Sequence, residues 1–371
     1  MFRAGRGGRR LAAAAAAGFV VGSALCAPAR ADTLDDYVHA EMESRRLPSL
    51  SFVAIKAGEI VDQRSYGLAN LETKSPASAE TVFAIGSITK SMTAIAVMKL
   101  AESGAIALDD AIGSHVEGLP KRWRPLTIRQ LMSNTSGVPG DLDNPCGHEG
   151  PPVSPGSRPY SREDFFAEVS CLPLLDPPGA AFHYSDFNFQ MLGLLIERRT
   201  GKAYADALNE IIFAPLGMNA SGALDYKSLI DMRADGYEWR EDGYVNSAPM
   251  DADLEFSSGG VLSTAGDMAK FLAALGGPLL TPGSWETLWT KPASVKRPTP
   301  YAMGFGVTPY KGVRRAGHNG AAVGFASSFS YFPEQGAGVV VLTNSYQEPL
   351  GRNVQDLANE IALRSGVIAV D

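Results

Sequence analysis

The chain has 371 residues, 45% of them hydrophobic and 20% charged, with 39 glycines and 24 prolines. Such a chain is globular, rich in turns and large enough for one big domain or two lobes on a shared core; it is not disordered or fibrous. The formal net charge is −7, and five of the 33 basic residues (Arg3, Arg6, Arg9, Arg10, Arg30) precede residue 32, so 28 basic residues then face 40 acidic ones, which argues against nucleic acid or an anionic membrane as the main partner.

Residues 1–31 read as a signal peptide. Arg3 to Arg10 form a positive segment, Leu11 to Leu25 an Ala-rich apolar run, and Ala29-Arg30-Ala31 a small-x-small cleavage site before Asp32. The apolar run is shorter than the ~20 residues a spanning helix needs. No stable membrane anchor is therefore expected after cleavage, and the mature chain is expected to be secreted or periplasmic. Arg9-Arg10 leaves general and twin-arginine export both open, and Cys26 follows Leu25 where a lipidation site needs a small residue.

Residues 32–371 read as a single domain. Leu34 to Arg46 is an amphipathic helix stopped before Pro48. Leu50–Lys56 and Ile60–Tyr66 are strands joined through Ala57-Gly58, and Val82–Ile85 is a third short apolar run. Helical patterning then dominates: Ile88 to Glu102, a short helix opened by the capping-box sequence Thr127-Ile-Arg-Gln130, Asp186 to Arg199 stopped by Gly201, and Ala265 to Leu275 capped by Thr264. Strand signals return at Gly304–Thr308, Val313–Ala316, Ala326–Phe332 and Gly338–Thr343, and Asn353 to Arg364 closes the chain as a helix. The expected fold is α+β: an antiparallel sheet built from both chain ends (about 32–86 and 300–371) with flanking terminal helices, plus an inserted helical lobe (about 87–299). The cleft between two such lobes is a natural ligand site.

Once the leader is removed two cysteines remain, Cys146 and Cys171. An even count in an oxidising compartment points to a disulfide closing the Pro- and Gly-rich loop between them, with two free thiols as the alternative. Such a bridge contributes roughly 3–4 kcal/mol by loop entropy. Cys146, His148 and Glu149 lack a second ligand pair at a usual spacing, so no metal is expected.

Three short motifs carry the chemistry. Ser87-Ile-Thr-Lys90 is the only S-x-x-K in the chain and opens a helix. A separation of three residues puts both side chains on one helix face, where the Lys90 ammonium lowers the cost of ionising the Ser87 hydroxyl. The free backbone N–H of Ser87 can donate to an oxyanion. A capping serine beside a solvated lysine is the competing reading. Tyr184-Ser185-Asp186 stands just before a helix, and a tyrosine whose phenolate is stabilised by an ammonium can act as a general base; alone it reads as a packing tyrosine. Gly317-His318-Asn319-Gly320-Ala321 offers glycines that let backbone approach a ligand, and His318 can hydrogen-bond a substrate carboxylate or the Ser–Lys–Tyr group.

Taken in this order, Ser87-x-x-Lys90, Tyr184-x-Asp186 and His318-x-Gly320 resemble the three-motif signature of serine beta-lactamases and penicillin-binding proteins. The likeness is narrower to the class C beta-lactamase-like group, with its D-alanyl-D-alanine carboxypeptidases, D-aminopeptidases and esterases. Phe83–Lys90, Leu126–Gly137, Pro177–Gly179, Pro215–Met218 and Ser258–Thr264 extend it over nearly the whole chain after residue 34. The resemblance implies a Ser87 acyl-enzyme, a general-base role shared by Lys90 and Tyr184, an oxyanion hole from the N–H groups of Ser87 and Ala321, and no cofactor. Its substrates would be beta-lactams, D-amino-acid peptides or related amides. An esterase using the same residues, or a non-catalytic peptidoglycan- or penicillin-binding module, remain the alternatives. An alpha/beta-hydrolase is excluded, because no G-x-S-x-G occurs.

Two residues depart from the signature. Asp186 stands where Asn is usual, and an ionised carboxylate only accepts hydrogen bonds. Asn188 is the nearest residue that could replace the lost donor. His318 stands where classical beta-lactamases carry Lys, and neutral His is a weaker carboxylate anchor. Both departures argue against efficient beta-lactam hydrolysis and are compatible with esterase or D-peptide hydrolase activity.

Overall fold

The structure is a computed structural model and describes residues 33–140, 161–225, 228–248, 252–292, 295, 299–346 and 354–370. The expected signal peptide and Cys146 lie outside the described residues.

Strands β1 (Ser49–Lys56), β2 (Glu59–Asn70) and β3 (Ser75–Pro76) come from the start of the chain. Three short strands follow, β4 (Phe83–Ala84), β5 (Gly222–Ala223) and the hairpin partner β6 (Tyr237–Arg240), then β7 (Gly243–Asn246) and β8 (Val261–Ser263). Strands β9 (Gly306–Tyr310), β10 (Val313–Ala322), β11 (Phe325–Phe332) and β12 (Ala337–Thr343) complete the set near the end. The main sheet is seven-stranded, in the order β3-β2-β1-β12-β11-β10-β9, with every pairing antiparallel. The two chain ends meet at the β1–β12 ladder, from Leu50↔Thr343 to Lys56↔Ala337. This is the α+β arrangement expected from strands at both termini.

Both faces of that sheet are covered, which is why β1 and β12 read as continuous apolar runs rather than as alternations. Phe52, Ala54, Val339 and Val341 point to one cluster, with Leu34, Val38, Leu357 and Ile361 of the terminal helices α1 (Thr33–Arg45) and, at the chain end, Val354–Arg364. Val53, Ile55, Val340 and Leu342 point to the larger core on the other face. The period of two sorts consecutive residues of one strand into two cores. The β-branched run Val339-Val340-Val341 suits such a doubly buried strand.

Between the ends lie α2 (Thr89–Glu102), α3 (Ile128–Met132), α4 (Arg162–Val169), α5 (Asp186–Thr200), α6 (Tyr204–Leu208), α7 (Ala214–Leu216), α8 (Ala252–Gly259), α9 (Ala265–Ala274) and α10 (Pro282–Trp289); the terminal helix is α11. Thr127 and Gln130 form the expected capping box, Thr264 accepts from the Asp267 N–H, and Gly201 ends α5 in the left-handed conformation. The middle of the chain is not purely helical: it also carries the three-stranded β4-β8-β5 sheet and the β6–β7 hairpin. Their strands are two to four residues long, too short for a period to declare itself.

Asn344, at the end of β12, is fully buried and clamps three segments. Its Oδ1 accepts from the Ser49 N–H at 2.9 Å and the Ser49 hydroxyl at 2.6 Å. Its Nδ2 donates to the carbonyls of Leu68 at 3.1 Å, Ala69 at 3.3 Å and Asp235 at 3.1 Å. Asn344→Ala strands these buried groups, and a loss of about 2–4 kcal/mol is expected in urea unfolding; an unchanged midpoint and slope would show that the clamp is not needed.

Candidate active site

Ser87 lies in a single 3-10 turn, Gly86–Ile88, between β4 and α2. Gly86 has φ +50, and a Cβ there would stand 2.5 Å from the Ala321 carbonyl oxygen. A Cβ on Gly320 would stand 2.0 Å from the Ile85 carbonyl oxygen. The two glycines therefore let the serine turn and β10 touch backbone to backbone. The resemblance placed the N–H groups of Ser87 and Ala321 together, and these segments are adjacent.

Lys90, one turn on, is fully buried. Its Nζ donates to Ser87 Oγ at 3.0 Å and to the Ser258 carbonyl at 2.8 Å, and forms an ion pair with Asp186 Oδ1. With the Tyr184 hydroxyl, four oxygens surround the three N–H bonds of the ammonium. The nitrogen also lies 4.9 Å from the Tyr184 ring centre and 5.7 Å from that of Phe189. Burial pushes the Lys90 amine down, but Asp186 and Tyr184 more than offset it and hold Lys90 above the ordinary lysine value.

The Ser258 carbonyl reaches Lys90 because α8 is broken at Phe256, whose backbone adopts φ 34, ψ −123. A non-glycine residue there costs on the order of 1–3 kcal/mol. The kink turns two successive carbonyls toward α2: Ser257 O accepts from Thr93 Oγ1 at 2.8 Å, and Ser258 O from Lys90. Sequence reading missed both, since a carbonyl leaves no trace in residue type.

Tyr184 is 39% exposed, with its hydroxyl end turned inward toward Lys90 and Ser87. Burial raises its pKa, Lys90 opposes and Asp186 reinforces, and the net direction is upward, so the resting group is a phenol rather than a phenolate. Asp186 is the first residue of α5, and its side chain is 28% exposed. Asn188 does not stand in for the missing donor: it is buried, donating to Asn134 Oδ1 at 2.8 Å and accepting from Ser136 Oγ at 2.7 Å.

His318 is buried on β10, which runs through the third motif to Ala322 rather than ending at Ala316 as the sequence suggested. Glycine and alanine carry little strand preference there, and pairing with β11 (His318↔Phe329 to Ala322↔Phe325) decides the matter. His318 Nδ1 lies 2.6 Å from the Asn319 carbonyl and must donate to it, which leaves Nε2 to accept from the Tyr301 hydroxyl at 3.0 Å. Burial, and next the Lys90 ammonium, push its pKa down to about 3. The neutral ring thus has no N–H left for a substrate carboxylate, contrary to the sequence-based expectation. Tyr301, absent from that expectation, also packs edge-on against Tyr184 at 6.0 Å.

A recess of about 240 Å³ continues the site, lined by Tyr184, Tyr301, Arg315, His318, Asn319 and Gln355. Arg315 is 5% exposed and donates to Thr308 Oγ1 at 2.6 Å and, weakly, to Ser330 Oγ at 3.4 Å. Burial lowers its pKa to about 10, against the pull of Asp356. A second recess of about 280 Å³ borders Ala84 and Phe325, and none of Ser87, Lys90, Tyr184, Asp186 and His318 lines it. Among the described residues no cluster of metal-ligating side chains occurs, and no helix is long and apolar enough to cross a membrane.

The fold and the converging motifs agree with comparison to known proteins. The Beta-lactamase family profile matches residues 34–363, so the chain belongs to that family. It is 26% identical over 339 residues to "Protein flp" of Staphylococcus aureus (strain COL), covering 88% of this chain and 66% of that protein, slightly under two thirds of its length. Among solved structures it resembles an octameric penicillin-binding protein homologue from Pyrococcus abyssi, with TM-score 0.77, 29% identity and coverage of 90% and 77%. It also resembles the D-amino acid amidase of Ochrobactrum anthropi SV3 crystallised with L-phenylalanine amide, with TM-score 0.74, 25% identity and coverage of 90% and 94%.

His318 is expected to remain neutral, with its proton on Nδ1, from pH 5 to 8. Imidazole ¹⁵N shifts report this directly, and a protonation step in that window would contradict the Tyr301–His318–Asn319 arrangement.

Proposed function

We propose that the protein is a serine hydrolase that opens an amide through a Ser87 acyl-enzyme, with D-amino-acid amides or peptides as the favoured substrates. The observation that carries the reading is the Lys90 ammonium, buried and 3.0 Å from Ser87 Oγ, with the Tyr184 hydroxyl turned toward both. The ammonium, itself buried, stabilises negative charge as it develops on the serine oxygen.

In this reading Ser87 Oγ attacks the substrate carbonyl, and the N–H groups of Ser87 and Ala321 receive the oxyanion. The serine proton passes through the Lys90–Tyr184 pair to the leaving amine. Water then attacks the acyl carbonyl, and the same groups return the proton to Ser87. Arg315 supplies a cation beside the site for a substrate carboxylate, the part His318 does not fill. The amide preference is supported by the amidase likeness. An ester substrate is the second reading, favoured by Lys90 holding no free lone pair, since an ester leaving group asks less of the base.

We place the mature protein outside the cytoplasm on the strength of residues 1–31, and join Cys146 to Cys171 in that oxidising compartment; two alkylatable thiols in the unreduced, denatured mature protein would remove the bridge.

Ser87→Ala is expected to lower release of p-nitroaniline from D-alanine p-nitroanilide by at least about a thousandfold with an unchanged thermal melt. A folded variant that keeps its rate would exclude Ser87 as the nucleophile. Wild-type turnover of p-nitrophenyl esters without the anilide would select the esterase reading.

A further inference from the structure

The family signature has a neutral Asn where this chain has Asp186, and the geometry gives the difference a consequence. Four oxygens surround the three N–H bonds of Lys90 Nζ: Ser87 Oγ, the Ser258 carbonyl, the Tyr184 hydroxyl and the Asp186 carboxylate, and only the last carries a charge. Paired with that carboxylate the lysine is an ammonium, which has no lone pair, so it cannot take the Ser87 proton without first giving one away. Among the described residues Asp186 is the one carboxylate within ion-pair distance of Lys90.

We propose that Asp186 is a positioning residue that confines Ser87 acylation to a higher pH range than a neutral residue at this position would allow, by locking Lys90 as an ammonium and setting a negative charge beside the Tyr184 hydroxyl. The proposal rests on the Ser87 acyl-enzyme reading and adds to it a control that the family signature lacks.

The surroundings leave Asp186 as the deciding charge. From the turn before α2 the lysine meets the uncharged Ser87 hydroxyl, from α8 a carbonyl, and from α5 the Phe189 ring. His318 on β10 is neutral, its pKa pushed down by burial and by Lys90 itself. Tyr301, before β9, is a buried phenol whose pKa burial, Tyr184 and Asp186 all raise. Tyr184 is raised by burial and by Asp186, with Lys90 opposing. An amide at 186 keeps an acceptor for Lys90 and removes the charge. A fully buried ammonium facing only neutral acceptors gives up its proton more readily, and a phenol without an anionic neighbour does so too. Both changes free a base at lower pH.

The test is the rate of Ser87 modification by a fluorophosphonate from pH 5 to 10, followed by intact mass. In that reaction the Ser87 Oγ–P bond forms as the P–F bond breaks. Fluoride leaves with the bonding pair, and the serine proton passes to the Lys90–Tyr184 pair and on to water. Asp186→Asn is expected to move the acid limb down by one pH unit or more, labelling about tenfold faster or better at pH 6. Asp186→Glu, which keeps the charge, is expected to stay near wild type. An Asn variant with a normal melt and an unmoved or raised limb would overturn the proposal. So would loss of labelling at every pH, which would make Asp186 a proton acceptor in its own right, or a Glu variant that shifts as Asn does. Wild-type protein that never labels at Ser87 overturns the proposal together with the acyl-enzyme reading, whereas an unmoved limb removes only the role of Asp186.

Discussion

A lysine ammonium with no exposure to water is the constraint around which this molecule is arranged. Lys90 is fully buried, and an isolated cation in such a place would lose its proton rather than stay charged. It stays charged because its own helix turn and two segments remote in sequence each bring it an oxygen partner. The turn before α2 brings Ser87, the broken helix α8 brings the Ser258 carbonyl, and the start of α5 brings Asp186. The strained backbone at Phe256 fits this picture, since a regular helix would turn the Ser258 carbonyl along its own axis.

The sheet supplies the opposite wall. Its third motif lies in a strand held in register by β11, and the contact of Gly86 with Ala321 and of Gly320 with Ile85 sets the distance between strand and serine turn. On this wall the polar groups divide their work. His318 spends both ring nitrogens on Asn319 and Tyr301, while Arg315 keeps a buried charge next to the recess. The departure from Lys to His in the third motif thus leaves a neutral, aromatic-lined wall formed by Tyr184, Tyr301 and His318.

Much of this was legible in the sequence, and for identifiable reasons. Ser87 and Lys90 are three residues apart on one helix face, Thr127 and Thr264 are caps, and the apolar runs at both ends have strand length. Each is a local signal, set by residues close together in the chain. What stayed hidden depends on residues brought together by the fold. Tyr301 carries no motif, and its role exists only because His318 faces it. Asn188 looked available as a donor until its partners Asn134 and Ser136 were seen. The charge of Asp186 was legible, but its pairing with Lys90 rather than with a ligand was not.

The protonation state of Lys90 is most directly read from the ¹⁵Nζ and ¹³Cε shifts of lysine-labelled protein, with Lys90→Met assigning the resonance. The expected result is an ammonium signal that persists from pH 6 to 9. A neutral amine anywhere in that range would contradict the ion pair with Asp186 as the organising interaction of the site.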